Sequence, residues 1–330
     1  MYYIVDLQRD QSKLSRYISN TLLEKIQNTL ENKKKTLVYI NRRGEYNLLC
    51  CLDCGHLYKC KNCDITMSVH KNPEKLVCHM CGYTKDLDLR CEKCSGSNLQ
   101  KVGVGTEQVE KLLKSHFKEA KIFRLDTDSI KTKVQKESVL QNILESDIII
   151  GTKMITTGFD FADIALIAVI LLEQEIGIPK YNIEEISYNN IKQLIGRGGR
   201  QGEDKEVVIQ TFISSNDTIK SISEYNYKDF VTKTLEERKL FSYPPYKDFA
   251  VLESYDKNEA KSLEFCKILK NKLDYANEDK KIEITLGQKG FKKAGNYHHK
   301  IILKGENLRG FLEVIRYEVI KNPKLSLTFE

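Results

Sequence analysis

The sequence predicts an α/β protein, a parallel sheet with helical crossovers that is interrupted by a cysteine-rich insertion and followed by a small α+β domain. Three observations carry that class. Short apolar runs at 36–40, 121–125, 147–151, 164–172 and 207–212 recur along the chain, with amphipathic stretches at 106–117 and 134–144 between several of them. Continuous apolar runs of this length read as strands buried on both faces, as in sheets covered by crossover helices. Nine of the ten cysteines crowd between Cys50 and Cys94, and the rhythm changes after the break at Tyr243, Pro244, Pro245 and Tyr246.

Taken in order, residues 13–35 place Leu14, Ile18, Leu22, Leu23, Ile26 and Leu30 at helical spacing and end in Lys33, Lys34 and Lys35. A basic run there suits the negative end of a helix dipole. The first strand, 36–40, runs straight into Asn41, Arg42, Arg43 and Gly44. The segment 50–95 is too poor in aliphatic side chains to build a core and needs another source of stability. After Thr211 comes a charged helical stretch, 219–240. Beyond the proline break the expected order is strand 249–255, helix 259–276, strands 282–286 and 299–304, and helix 306–320. Cys266 falls on the apolar stripe of that first helix with Leu263 and Leu269, the position of a small buried hydrophobe. These changes divide the chain into 1–49, the start of the parallel sheet; 50–95, the insertion; 96–240, the rest of the sheet; and 241–330, the terminal domain.

Composition narrows the classes of partner. A length of 330 residues suits two or three domains. The excess of 53 Lys and Arg over 46 Asp and Glu leaves a formal charge of +7. That surplus is compatible with nucleic acid but scattered surface lysines would give the same total. Charged residues at 30%, a mean hydropathy of −0.44 and the lack of any apolar run near 20 residues exclude a helical membrane protein. Residues 1–13 show no signal-peptide core. The expectation is a soluble, cytoplasmic protein with no membrane partner, whose clustered cysteines bind metal in a reducing compartment.

Eight of those cysteines form four C-x-x-C pairs, Cys51/Cys54, Cys60/Cys63, Cys78/Cys81 and Cys91/Cys94. Each pair sets two thiolates on one side of a tight turn, half of a tetrahedral site, so eight sulfurs make two four-cysteine zinc centres. Gly55 and Gly82 directly follow two of the pairs, where a positive φ lets the backbone fold under the metal. The spacing from Cys63 to Cys78 is close to that of a zinc ribbon, which pairs Cys60 and Cys63 with Cys78 and Cys81. The outer pairs, Cys51, Cys54, Cys91 and Cys94, then close the other site. The sequential pairing, 51/54 with 60/63 and 78/81 with 91/94, is the alternative, and an iron–sulfur centre or disulfides are the competing chemistries. His56, His70 and His79 are surplus to eight thiolates, and Cys50 reads as a strand end. With no open ligand position the zinc is structural, and the module depends on it to fold.

A second constellation lies further on. Gln193, Gly196, Arg197, Gly199 and Arg200 make the pattern Q-x-x-G-R-x-G-R, in which two guanidinium groups opening from glycines can reach phosphate oxygens. Upstream, Gly151, Thr152, Gly158 and Asp160 follow a strand, and Gly103, Gly105 and Thr106 form a glycine-rich turn opening a helix. Strand ends carrying Gly, Thr and Arg are where α/β sheets bind ligands.

In this order, N-R-R-G, four knuckles, G-x-G-T-E, D-I-x-x-G-T-x-M-x-x-x-G-x-D-F, Q-x-x-G-R-x-G-R and Y-P-P, the chain resembles the C-terminal half of the PriA family (primosomal protein N-prime), superfamily 2 DNA helicases that restart stalled replication forks. The resemblance implies a RecA-like second helicase lobe, a two-zinc insertion and a terminal domain that touches branched DNA and partner proteins. It implies ATP-dependent 3′-to-5′ DNA unwinding, primosome proteins and single-stranded DNA-binding protein as partners, and a place beside the bacterial nucleoid. By the same resemblance Arg200 and Arg197, with Gln193, face ATP and Mg2+ in motif VI, with Arg200 as the finger. Gly158 and Asp160 of motif V couple nucleotide to DNA, and Arg42, Arg43, Thr106 and Thr152 lie along the single strand.

The chain departs from the family pattern at Thr157 and Phe159, where Lys and His are usual, at Ile183 and Ile186, where arginines are usual, and around Gly287. The 330 residues contain no G-x-x-x-x-G-K-[ST] P-loop and no D-E-x-H box. The expectation is therefore that this chain alone does not hydrolyse ATP. The alternative function is a non-catalytic, zinc-stabilised module that docks DNA and proteins.

Overall fold

The computed structural model describes residues 2–41, 47–70, 74–125, 133–156, 163–197, 205–224, 226–287, 290–293 and 295–330. In chain order the first half holds β1 (Tyr2–Asp6), α1 (Asn20–Glu31), β2 (Lys35–Ile40), β3 (Asn47–Cys51), β4 (Ser68–His70), β5 (Lys75–Val77), β6 (Thr84–Asp86), β7 (Leu99–Val102), α2 (Thr106–His116), β8 (Ile122–Leu125), α3 (Lys133–Glu145) and β9 (Ile148–Gly151). The second half holds β10 (Ile164–Ile170), α4 (Glu173–Ile176), α5 (Ile183–Arg197), β11 (Glu206–Thr211), α6 (Asp217–Glu224), α7 (Tyr227–Leu240), β12 (Asp248–Asp256), α8 (Glu259–Ala276), β13 (Glu283–Leu286), β14 (Phe291–Lys293), β15 (Asn296–Gly305), α9 (Leu308–Phe311), α10 (Arg316–Lys321) and β16 (Leu325–Phe329). The chain divides into two compact units: Met1–Leu57 with Asp88–Ile178 and Asn182–Tyr227, and Tyr58–Leu87 with Pro179–Tyr181 and Lys228–Glu330.

The first unit is built on a six-stranded sheet in the order β1-β11-β10-β2-β9-β8, parallel throughout. Leu37, Val38, Ile149, Ile167, Val169 and Ile209 are buried, which is why these strands read as unbroken apolar runs. Helix α1 packs on β2 and β10, and α2 on β8 and β9. The expected helix over 13–35 is shorter in fact. Ser19 caps it, its hydroxyl accepting from Leu22 N at 3.0 Å, and the Asp10 carboxylate accepts from the amides of Asn20 and Thr21 at 3.0 Å each. Apolar spacing alone does not mark that start; the two acceptors ahead of it do. Strand β3 pairs antiparallel with β7, outside the parallel sheet.

The parallel register puts the ends of four strands on one edge. Tyr39 lies opposite Gly151, Ile40 opposite Ile170, and Ile170 opposite Gln210. Thr152, Glu173 and Phe212 therefore leave the sheet from the same side as Asn41. This is the edge at which α/β sheets collect their ligands.

In the second unit β13, β15, β12 and β16 form an antiparallel sheet with β14 added to β15. Helix α8 covers one face, packing Cys266, Leu269 and Leu273 against Ala250, Leu252, Ile301 and Leu303. The region 306–320, expected as one helix, is broken into α9, a 3-10 turn at Leu312–Ile315 and α10. Strands β4, β5 and β6 pair antiparallel in the order β6-β5-β4. Among the described residues no helix is long and apolar enough to cross a membrane.

Candidate metal centres

The four C-x-x-C turns share one backbone geometry. In each, the N–H four residues after the first cysteine donates to that cysteine's carbonyl: Gly55 to Cys51 at 2.9 Å, Asp64 to Cys60 at 2.8 Å, Gly82 to Cys78 at 2.9 Å and Ser95 to Cys91 at 2.8 Å. The first cysteine's own N–H donates five residues on, to His56, Ile65, Tyr83 and Gly96 respectively, at 2.8–3.0 Å. All four donors at the fourth place have positive φ, 72° at Gly55, 51° at Asp64, 75° at Gly82 and 60° at Ser95. The turn thereby presents both sulfurs on one side and folds the backbone beneath them.

The turns converge in two sets. Cys51, Cys54, Cys91 and Cys94 place all their sulfurs within 4.8 Å of one another, and so do Cys60, Cys63, Cys78 and Cys81. This is the nested pairing, and the sequential alternative does not occur. The Sγ–Sγ separations are 3.7 Å for Cys51 and Cys94, 3.8 Å for Cys54 and Cys91, and 3.6 Å for Cys60 and Cys81. A tetrahedron with zinc–sulfur bonds of about 2.3 Å has edges of about 3.8 Å, so both sets fit zinc. Disulfides are excluded, since all ten cysteines are free.

The two sets differ in exposure. The inner set belongs to the second unit and all four of its cysteines are buried; in the outer set, part of the first unit, Cys94 is exposed and Cys54 half-buried. In the inner set hydrogen bonds from Cys60, Cys63 and Cys78 hold Cys81 low, while those with Cys60, Cys78 and Cys81 push Cys63 up. In the outer set burial, followed by the hydrogen bond with Cys94, pushes the Cys54 thiol up to about 12. Four sulfurs cannot all ionise in such a volume without a cation among them; a divalent ion supplies the missing charge. Tyr243 donates to the Cys63 carbonyl at 2.8 Å and carries Lys304 Nζ over its ring at 3.9 Å, bracing the inner set from its own unit.

The surplus groups lie outside the sulfur sets. His56 Nε2 meets Glu92 at 2.9 Å, and His70 Nε2 stands 3.1 Å from that of His79. Burial, then His70 and Lys300, lowers His79 to about 4, so it is neutral at physiological pH. Cys50 ends buried, its thiol donating to the Gln100 carbonyl at 3.6 Å, and burial raises its pKa well above the usual range.

Of the residues expected at the sheet edge, Thr152 is buried directly after β9, and Thr106 is buried as the first residue of α2. Gln193 is exposed on α5, and the backbone of Arg197 ends that helix. Helix α5 packs against the 3-10 turn Lys153–Thr156. Arg42, Arg43, Gly158, Asp160 and Arg200, and the Arg197 side chain, lie outside the described residues.

The same edge holds a polar set that sequence reasoning passed over. Glu173, fully buried, accepts from Thr211 Oγ1 at 2.7 Å and Phe212 N at 2.9 Å. Glu175 accepts from Tyr39 Oη at 2.8 Å and Asn190 Nδ2 at 2.6 Å. Burial raises both carboxyls. Gln174 between them pairs with both backbone groups of Val104. The available signal was three consecutive hydrogen-bonding side chains straight after the apolar run of β10.

The fold and site define a class, an α/β protein carrying a nested pair of four-cysteine zinc-ribbon turns. Residues 60–85 match the model of the PriA DNA helicase Cys-rich region. Curated relatives called replication restart protein PriA are 34% identical over 73% of the chain in Chlamydia pneumoniae, 31% over 94% in Thermotoga maritima and 32% over 94% in Rickettsia felis. Over these residues the chain belongs to the PriA family. It spans 33%, 41% and 48% of those relatives' lengths. Among solved structures, an S. cerevisiae Dbp5 variant bound to RNA and ADP BeF3 is 10% identical with a TM-score of 0.35, covering 72% of this chain and 44% of that one.

Proposed function

We propose that this chain is the part of a replication-restart DNA helicase that carries the second RecA-like lobe, two zinc ions and the terminal domain. With a P-loop lobe it couples ATP hydrolysis, assisted by Mg2+, to 3′-to-5′ movement on single-stranded DNA at forks. The observation that carries this reading is the pair of four-cysteine sets, with residues 60–85 matching a helicase Cys-rich region, in a chain that also builds a six-stranded parallel sheet with Thr152 directly after one of its strands.

In this reading the segments 1–49 and 96–240 form the lobe, 50–95 the insertion and 241–330 the terminal domain. Arg200 is the finger on the γ-phosphate, and Arg197 and Gln193 complete motif VI. Gly158 and Asp160 pass the nucleotide state to the DNA. Thr106, Thr152, Arg42 and Arg43 hold backbone phosphates, which fix position without reading sequence. Eight thiolates hold zinc without an open ligand position, so the ions support the fold and the docking of primosome proteins and single-stranded DNA-binding protein, and take no part in the reaction. The protein works in the cytoplasm beside the nucleoid.

ATP turnover with single-stranded DNA tests the reading. The 330 residues alone should give none, because no P-loop lies among them. Joined to a P-loop lobe they should turn ATP over, and Arg200→Ala should abolish turnover while sparing DNA binding. Hydrolysis by the isolated chain, or undiminished turnover in the variant, would overturn the assignment.

A further inference from the structure

Three consecutive residues of α4 reach three different segments of the strand-end edge. Glu173 binds the end of β11, Glu175 joins Tyr39 of β2 to Asn190 of α5, and Gln174 reaches the turn before α2. The last contact has an unusual form. Val104 is buried between Gly103 and Gly105, outside any strand. Its N–H donates to Gln174 Oε1 at 3.1 Å, and its carbonyl accepts from Gln174 Nε2 at 3.2 Å. A carboxamide carries both a donor and an acceptor, so one side chain here satisfies a peptide as a neighbouring strand would. The two glycines have no side chains with which to fix the turn, and glycine loses more conformational freedom on ordering than any other residue. The shape of the turn therefore depends on Gln174. On α5, Asn190 lies one turn before Gln193, and the backbone of Arg197 ends the same helix.

We propose that Gln174 is a positioning residue that fixes the Gly103–Gly105 turn in the shape that holds single-strand phosphates and, through its neighbour Glu175, ties that turn to the helix carrying Gln193 and Arg197. This rests on the helicase reading for the identity of the strand. It adds the link between the DNA contact and the nucleotide arginines, carried by a side chain that touches neither ligand.

The test is Gln174→Met in the 330-residue chain, which keeps the volume and removes both hydrogen bonds. Affinity for a thymidine oligonucleotide is read at several salt concentrations, alongside local amide exchange and zinc content. Affinity should fall roughly tenfold or more. The salt slope should fall by about one phosphate contact. Exchange should quicken at 103–107 alone, with zinc content that of the parent. Parent-like affinity, slope and exchange would overturn the proposal, and so would exchange that quickens throughout the unit, the mark of a general loss of stability. A parent chain with no oligonucleotide affinity would refute the DNA reading instead; exchange at 103–107 would then decide the positioning role, local quickening supporting it and unchanged exchange overturning it.

Discussion

Glu206 fastens the edge of the parallel sheet through one carboxylate. It opens β11 and accepts from Lys25 Nζ of α1 at 2.8 Å and from Tyr3 Oη of β1 at 3.1 Å. The Lys25 hydrogen bond is the leading cause that holds its pKa below the ordinary value. A carboxyl depressed in the folded state stabilises above its unfolded pKa and loses that contribution as pH falls through the folded one. Glu206→Gln should therefore lower the urea midpoint at pH 7, and the difference from the parent should shrink as pH falls toward the folded-state pKa of the carboxyl. The effect should be modest, because the pair is partly exposed and screened. A difference that does not change with pH would exclude the ion pair as its source. Other residues at this scale were legible in the sequence. Cys266 lies buried with its thiol donating to the His299 carbonyl at 3.6 Å, as its place on an apolar stripe predicts. Glu173 and Glu175 were not legible, because nothing local tells a buried carboxylate from a solvated one until its donors arrive from distant strands.

The zinc knuckle shows where an element can and cannot be read. Its cysteine spacing is plain in the sequence, and Gly55 and Gly82 announce the positive φ that the turn needs. Asp64 and Ser95 adopt the same conformation without glycine, so half of the repeat was hidden. At Gly55 the requirement is double: φ is 72°, and a Cβ would stand 2.7 Å from Ser215 Oγ. Gly55→Ala should destabilise the first unit by about 1–2 kcal/mol in denaturant unfolding, the cost of a left-handed L-residue, while the metal content stays that of the parent. A parent-like midpoint would show that the turn relaxes. Elsewhere, strands buried on both faces were read correctly because their middles are unbroken apolar runs, 37–40, 148–150, 164–170 and 207–209. The break between α9 and α10 was missed because the apolar spacing runs through it uninterrupted. Strand β16 was missed although Leu325, Leu327 and Phe329 alternate with polar residues, a period-2 signal too short to stand out at the chain's end.

For the whole molecule, metal is the variable that matters most. Zinc binding and folding are coupled where ligands must be deprotonated and ordered together. The outer set has an exposed ligand in Cys94 and the inner set has four buried ones, so a chelating dye should remove the two ions in two phases. The fast phase belongs to the outer site and should vanish in Cys94→Ser. A single phase carrying both ions would contradict separate sites. The nested connection of those sites was legible in spacing alone, whereas the links among α4, the Val104 turn and α5 depend on side chains far apart in sequence and became visible only once the chain was folded.

The outer site brings Cys54 and Cys91 to 3.8 Å although they lie 37 positions apart. Whatever lies between them is an excursion whose entrance and exit are stapled side by side. The entropy of closing such a loop grows only with the logarithm of its length, about 0.6 kcal/mol for each doubling. The outer site is therefore a staple at the neck of a loop, and the entropy it must overcome to close that neck would change little if the loop were longer or shorter.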